Sequence, residues 1–332
     1  MNDRTTLRGA PVVVAPGKVF VVGEYGVLEG GSAVLTAVSC NAVAQFIPGL
    51  EAASAVVEQA VRRARDALGE VGEALPAGSV LVDTSQFRRG EAKIGVGSSA
   101  AAAVAAVGAV FEYGGHAVAE HRDLVFEVAD AAHRAAQDGV GSGADVAVAT
   151  YGGFLHFQRS EEAPVLREAL PTPADLSLVV FYSGQPASTV HMVKSVMALK
   201  QDTPPLYKWL MDELKTLGGR FVSALSVGNV AGVIQAADAY RETLLELGNS
   251  ARLDIVTPAF QAAARVARAL GGTAKPSGAG GGDLGIALFP SADAARAFTS
   301  ECPEGLSVLD VRPEPLGVRR RMASISEVAH QR

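Results

Sequence analysis

Cysteine is nearly absent from this chain of 332 residues: only Cys40 and Cys302 occur, far apart. That excludes a disulfide framework and a cysteine-based metal cluster, and it suits a reducing compartment. Tryptophan occurs once and aromatics make up 6% of the residues. Basic excess is missing too. The formal net charge is −6 and the pI about 5.6, so no face for nucleic acid is advertised, and an anion would have to be held by local donors. The most apolar run, Ala100 to Phe111, is too short and too alanine-rich to span a bilayer. The opening "MNDRTTLRGA" has no signal-peptide core. No solenoid-length repeat and no G-x-x-x-x-G-K-[ST] string occurs. These absences point to a cytoplasmic protein without membrane or nucleic-acid partners.

What is present is a core. Hydrophobic residues are 48% and charged ones 19% of the chain, the opposite of a disordered balance. The valine-rich segment from Pro11 to Phe46 reads as short strands with tight turns, such as 19–22 and 33–38. Helices are expected over 54–68, from Ser98 or Ser99 to Tyr113, and over 120–137. A strand is expected at 79–84, and short strands return over 145–157. "LPTPADLSLVVFYSG" looks like a junction leading into a strand at 176–182. Beyond it the pattern turns helical, over 206–225 and 229–247. Thr257 caps a further helix with Pro258 at its first position. Strand 284–289, the helix of "SADAARAFTSEC" and strand 306–311 complete the chain. The fold class is α+β, divided into 1–174 and 175–332.

Three glycine-rich loops carry the chemistry. "GVGSSA", residues 95–100, fits the dinucleotide string G-x-G-x-x-A. A nicotinamide site would also need a strand ending in an acid some twenty residues on. The acid there is Glu120, within "AEHRD", which looks like a helix start. What survives is phosphate chemistry: glycines let the backbone approach, and a helix N-terminus favours an anion. Ser98 and Ser99 offer hydroxyls to a phosphate or to magnesium, or they merely cap the helix; the string leaves both open. "KPSGAGGGDLGIAL", 275–288, is bounded by helix and strand, so it reads as a shaped anion loop rather than a linker. Its donors are Ser277 and the amides from Gly278 through Ala279, Gly280 and Gly281 to Gly282. In "QDGVGSGADVAVATYGG" the carboxylate of Asp145 has a structural or a chemical role, with structure favoured on spacing alone. Lys18, after "APG", is a solvated edge charge or is aimed at an anion.

Taken in order, "APGKVFVVGEYGVLEGG", "KIGVGSSAAAAVAA" and "KPSGAGGGDLGIAL" resemble the GHMP small-molecule kinases. "GEYGVLEGG", "GSGADVA" and "SGQPAST" look most like the phosphomevalonate kinase branch of that family. The resemblance implies a ribosomal S5 domain 2-like N-terminal domain and a ferredoxin-like C-terminal domain, with ATP and acceptor meeting between them. It implies ATP and Mg2+ as cofactors, 5-phosphomevalonate as small-molecule substrate, and a monomer or homodimer. Lys93, Gly95, Val96, Gly97, Ser98, Ser99 and Ala100 would hold the nucleotide, with Ser98 or Ser99 near the metal. Lys18 would bridge acceptor and γ-phosphate. Asp145 would orient Lys18, or hold magnesium or an acceptor hydroxyl. Glu24, Tyr25, Ser142, Gly143, Ser188, His191, Lys194 and residues Ser277 to Gly281 would contact the acceptor; Lys194 reads equally as a solvated helix lysine. Mevalonate kinases carry a magnesium-binding glutamate about eleven residues before the aspartate; here that place holds Arg134, with His133 and Gln137 nearby. Another acceptor such as mevalonate, a nucleotide sensor without turnover, and an NAD enzyme are the alternatives.

Overall fold

The computed structural model describes residues 10–69, 75–90, 92–137, 141–160 and 163–321. Valine and other β-branched residues at 12–22 form one long strand, β1 (Val12–Val22). It pairs antiparallel with β2 (Ala33–Pro48), a 16-residue strand. The expected short strands are therefore two long ones, interrupted by register shifts between Pro16 and Gly17 and between Phe20 and Val22. The first shift is a bulge that re-aims the backbone just before Lys18. β2 then pairs along one edge with β3 (Gly78–Asp83) and with β6 (Phe154–Gln158), which pairs with β7 (Leu166–Leu170). Between β3 and β6 come a small hairpin, β4 (Arg88–Arg89) and β5 (Ala92–Lys93), and three helices.

α1 (Ala55–Gly69), α2 (Ser98–Tyr113) and α4 (Ala144–Tyr151) cover this sheet, and α3 (Arg122–Ala135) packs on those three helices. α2 is buried without a break from Ala100 to Phe111. Alanine serves there twice: it is the best helix former, and its small side chain lets the helix lie against β1 and β2. A Cβ on Gly108 would sit 3.0 Å from Val13 Cγ1, which measures how close that approach is. α4 corrects the expectation of strands from Asp145. "ADVAVAT" is helical, and only 154–158 is a strand. From Ala144 to Thr150 every residue but Asp145 is buried, so the helix has no polar face to reveal its period.

The second sheet follows the junction. β8 (Ser177–Tyr182) and β9 (Thr273–Pro276) flank β10 (Leu284–Phe289), and β11 (Ser307–Val308) lies outside β8, all antiparallel. The strand expected over 306–311 is thus only two residues long. α5 (Thr189–Asp202), α6 (Pro204–Ser226) and α7 (Val230–Ala251) form a helical block, and α8 (Pro258–Ala269) and α9 (Ala292–Ser300) lie on the sheet. Thr257 caps α8, its hydroxyl accepting from Phe260 N–H at 3.3 Å. The chain then crosses back: β12 (Arg319–Arg320) pairs with β1, and Pro313 bridges to Val38. The cut at 174/175 separates the two sheets, but 313–321 belongs to the first. A second half running unbroken from 175 is corrected to that extent.

Because α2 is packed on every side, one enlarged alanine should be felt. Ala103, fully buried, is expected as Ala103→Leu to lower unfolding free energy by about 1–3 kcal/mol, read as a lower urea midpoint with unchanged far-UV circular dichroism.

Candidate active site

The site grows from the bulge in β1. The Lys18 N–H donates to the carbonyl of Val96 at 2.8 Å, so the 95–97 loop is tied to β1 beside the lysine. Gly17 has to be glycine for this: a Cβ there would lie 2.6 Å from that same carbonyl. Gly97, at φ 81°, turns the chain into α2 as its N-cap. A Cβ on it would meet Lys18 Cγ at 2.9 Å and Cε at 3.0 Å. The lysine side chain therefore lies across the start of the helix. Its Nζ stands 5.1 Å from the centre of the Phe20 ring.

Ser98 and Ser99 are the first residues of α2, and neither side chain caps it. The capping alternative is therefore not the arrangement found. The first intrahelical bond runs from Ala101 N–H to Gly97 O at 3.1 Å, so the amides of residues 98–100 precede it and carry the helix's positive end. Val96 and Ala100 turn their side chains into the core, leaving only their backbone to a ligand, while Lys93 is exposed on β5.

Asp145 arrives from the other side on the first turn of α4. Gly143, at φ 86°, starts that helix, and Ser142 Oγ accepts from Ala144 N–H at 3.3 Å. Asp145 Oδ1 accepts from Val146 N–H at 3.0 Å. Three carboxylates act on the Lys18 ammonium. Burial pulls its pKa below the ordinary lysine value, and Asp145, Glu24 and Asp283 each push it back up. Asp283 lies on the second domain at φ 52°. A Cβ on Gly95 would be 3.5 Å from its Cβ, so it faces the nucleotide-type loop across the cleft. Burial raises the Asp283 pKa, opposed by the Ala187 N–H and by Lys18.

Several expected acceptor contacts turn out to join the domains instead. Glu24 is buried, and its Oε1 accepts from Lys275 Nζ at 2.5 Å. Tyr25 donates to the carbonyl of Ala279 at 2.5 Å, and Ser277 Oγ donates to the carbonyl of Phe20 at 2.9 Å. Burial, with Glu24 beside it, holds the Tyr25 hydroxyl protonated. In the glycine loop, Gly278 N–H donates to Glu24 Oε1 at 3.4 Å and Gly281 N–H to Ile255 O at 3.1 Å. That leaves Ala279, Gly280 and Gly282 as its unspent amides among the described residues, a smaller cradle than the sequence suggested. Ser188 caps α5, accepting from His191 N–H at 3.3 Å. His191 and Lys194 are exposed on that helix, and among the described residues no hydrogen bond or ion pair ties them to Lys18.

Sequence reasoning gave no role to Lys275, Tyr240, Asp130, Arg159 or Asp283. Arg159 Nη2 donates to Asp130 Oδ2 at 2.6 Å directly behind Gly143, where a Cβ would lie 3.0 Å from Arg159 Nη2. Asp130 Oδ1 and Arg159 Nε and Nη1 are buried without a partner. A hollow of about 460 Å³ opens there, lined by Asp130, Arg134, Arg159 and Arg167 among others. No three His, Cys, Asp or Glu side chains among the described residues are grouped to hold a metal unaided, and none of the described helices is long and apolar enough to cross a membrane.

This geometry has counterparts. The GHMP kinase N-terminal domain matches residues 55–153 and the GHMP kinase C-terminal domain residues 221–307. A phosphomevalonate kinase of Streptomyces sp. (strain CL190) is 32% identical over 86% of this chain and 91% of its own length. A mevalonate kinase of Thermococcus gammatolerans is 28% identical over 86% of this chain and 91% of its own. The fold is shared, at TM-score 0.79 and 22% identity, with Streptococcus pneumoniae phosphomevalonate kinase in complex with phosphomevalonate and AMPPNP, covering 91% of this chain and 99% of that one. With both domain types present in order around a lysine laid on a helix N-terminus, the chain belongs to the GHMP kinases.

Proposed function

We propose that this kinase transfers the γ-phosphoryl group of ATP to the phosphate of 5-phosphomevalonate, giving 5-diphosphomevalonate and ADP. The observation that carries the reading is Lys18 lying across Gly97, between the open end of α2 and Asp145. An acceptor phosphate oxygen attacks the γ-phosphorus while the bond from γ-phosphorus to the β-bridging oxygen breaks. The second pKa of a phosphate monoester is about 6, so that oxygen is already anionic at neutral pH. No strong base is needed. The difficulty is bringing two anions together, and a fixed ammonium with little water around it answers that.

Each residue then has a task. The amides of Ser98, Ser99 and Ala100 receive the β- and γ-phosphates at the helix end. Lys18 spans γ-phosphate and acceptor. Asp145 holds the ammonium in place and protonated. Magnesium fits this donor set: it is content with one or two carboxylates plus substrate phosphates. Ser98 and Ser99 have hydroxyls free of capping, with Asp145 and Asp283 as the nearby carboxylates. When bound, it would neutralise phosphate charge.

Arg159 accounts for the far end of the acceptor, which is a carboxylate. Its guanidinium lies behind Gly143, with Nε and Nη1 buried and unpartnered, and its positive charge suits a carboxylate. Mevalonate as acceptor is the second reading, supported by the mevalonate kinase relative. Arg134 stands against it, because it takes the place of that branch's glutamate.

ADP release by the purified protein with ATP and Mg2+ should be at least about 100-fold higher in kcat/KM with phosphomevalonate than with mevalonate; the reverse order would establish the second reading. Lys18→Met should lower kcat by about 10²–10³-fold in a folded protein. The wild-type kcat should fall as pH rises through the Lys18 pKa, with that limb below the ordinary lysine value of 10.5; Lys18→Met should lose the limb. Arg159→Lys keeps a charge beside Asp130 but loses the planar guanidinium and its further N–H donors, and should raise KM for the acceptor by about tenfold while KM for ATP stays unchanged.

A further inference from the structure

The pair Glu24–Lys275 is built where a stability argument would not put it. Both side chains are 1% exposed, one on each domain. Lys275 Nζ, at 2.5 Å from Glu24 Oε1, also donates to Pro276 O at 2.7 Å and lies 5.8 Å from the Tyr240 ring centre. Glu24 Oε2 is buried with no hydrogen-bond partner. Burying two charges costs several kcal/mol each, and an incompletely satisfied pair does not recover it. Such a pair contributes little to stability compared with apolar residues of the same size.

Its neighbours show what it does hold. The backbone carbonyl of Glu24 accepts from the Tyr240 hydroxyl at 2.7 Å. Tyr25, forced to φ 60°, reaches Ala279, and Ser277 reaches Phe20. Every one of these bonds links the stretch 20–25, just beyond Lys18, to Tyr240 or to the stretch 275–279, just before Asp283. The joint thus connects the strand that carries the lysine to the loop that carries the facing carboxylate.

We infer that Glu24 and Lys275 are positioning residues: their ion pair fixes the separation between Lys18 on the first domain and the 278–283 loop on the second, and so sets the transfer geometry rather than the stability of the fold. This rests on the phosphoryl-transfer reading of the same cleft. Lys18 is faced by Asp145 from α4, Asp283 from the glycine loop, Glu24 from its own segment and the ring of Phe20. Lys275 balances the charge of Glu24, and without it that carboxylate would act on Lys18 uncompensated.

The test separates positioning from structure. A double variant, Glu24→Gln with Lys275→Met, removes both charges and keeps both volumes. It is expected to keep the wild-type urea midpoint, or to exceed it, while kcat falls at least about tenfold and KM for ATP holds. Lys275→Arg, which keeps a cation in place, should recover most of kcat. Wild-type kcat in the double variant, or equal proportional losses of stability and activity in it, would overturn the inference. Lys275→Met alone leaves a buried carboxylate unpaired and should be destabilised more than the double variant; the opposite order would also overturn it. A wild-type protein that releases no ADP with either acceptor would refute the proposed function instead, and is distinguished by that control.

Discussion

One contact determines what the rest of the molecule can do: the aliphatic stem of Lys18 on the bare backbone of Gly97. A side chain larger than hydrogen at 97 would push the lysine away, and a strand without the bulge at Pro16–Gly17 would aim it elsewhere. The same contact draws the Val96 carbonyl onto the Lys18 amide. A cation, a row of unspent amides and a strand backbone are thus fixed together before any ligand arrives. Preorganisation of this sort is what phosphoryl transfer asks of a protein, since the nucleotide and the acceptor bring the reacting groups themselves.

Charge balance explains the second domain's part. Lys18 loses hydration, and burial alone would favour its neutral form. Three carboxylates offset that, from α4, from the end of β1 and from the glycine loop, so the ammonium's state depends on elements of both domains. Three carboxylates around one lysine would repel phosphates, however. Lys275 pairs with one of them, Glu24. What remains facing Lys18 is Asp145 from the first domain and Asp283 from the second.

The sequence made the 95–100 loop and the start of α2 legible because their signal is local. Glycines at 95 and 97, two serines and an alanine-rich helix stand within one short stretch, and Lys18 and Asp145 are marked by the small residues around them. The joint was illegible for the opposite reason. Glu24 and Lys275 are separated by 251 positions, and neither has a neighbour that announces a partner; Tyr240 is one aromatic among the apolar positions of α7. Glu24, Tyr25 and Ser277 were recognised as special, yet their backbone and side-chain groups face the other domain rather than open solvent. Arg159 and Asp130 were missed because their pairing, across 29 positions, exists only once the segment after β6 has folded back to α3. α4 was misread because burial on all sides erased its period, while α2, equally buried, was recognised by its alanines and its length.

The return of β12 to β1 bears on how the molecule assembles during translation. Arg319 and Arg320 complete the edge of a sheet whose other strands have long since left the ribosome. Until they emerge, one side of β1 offers unpaired amides and carbonyls at Val13 and Val14, the kind of edge on which nascent chains associate wrongly. An N-terminal half that folds first therefore waits with that edge of β1 uncovered. Ribosome-bound fragments ending before residue 319 would carry an open flank at Val13 and Val14 that β12 covers in the finished fold.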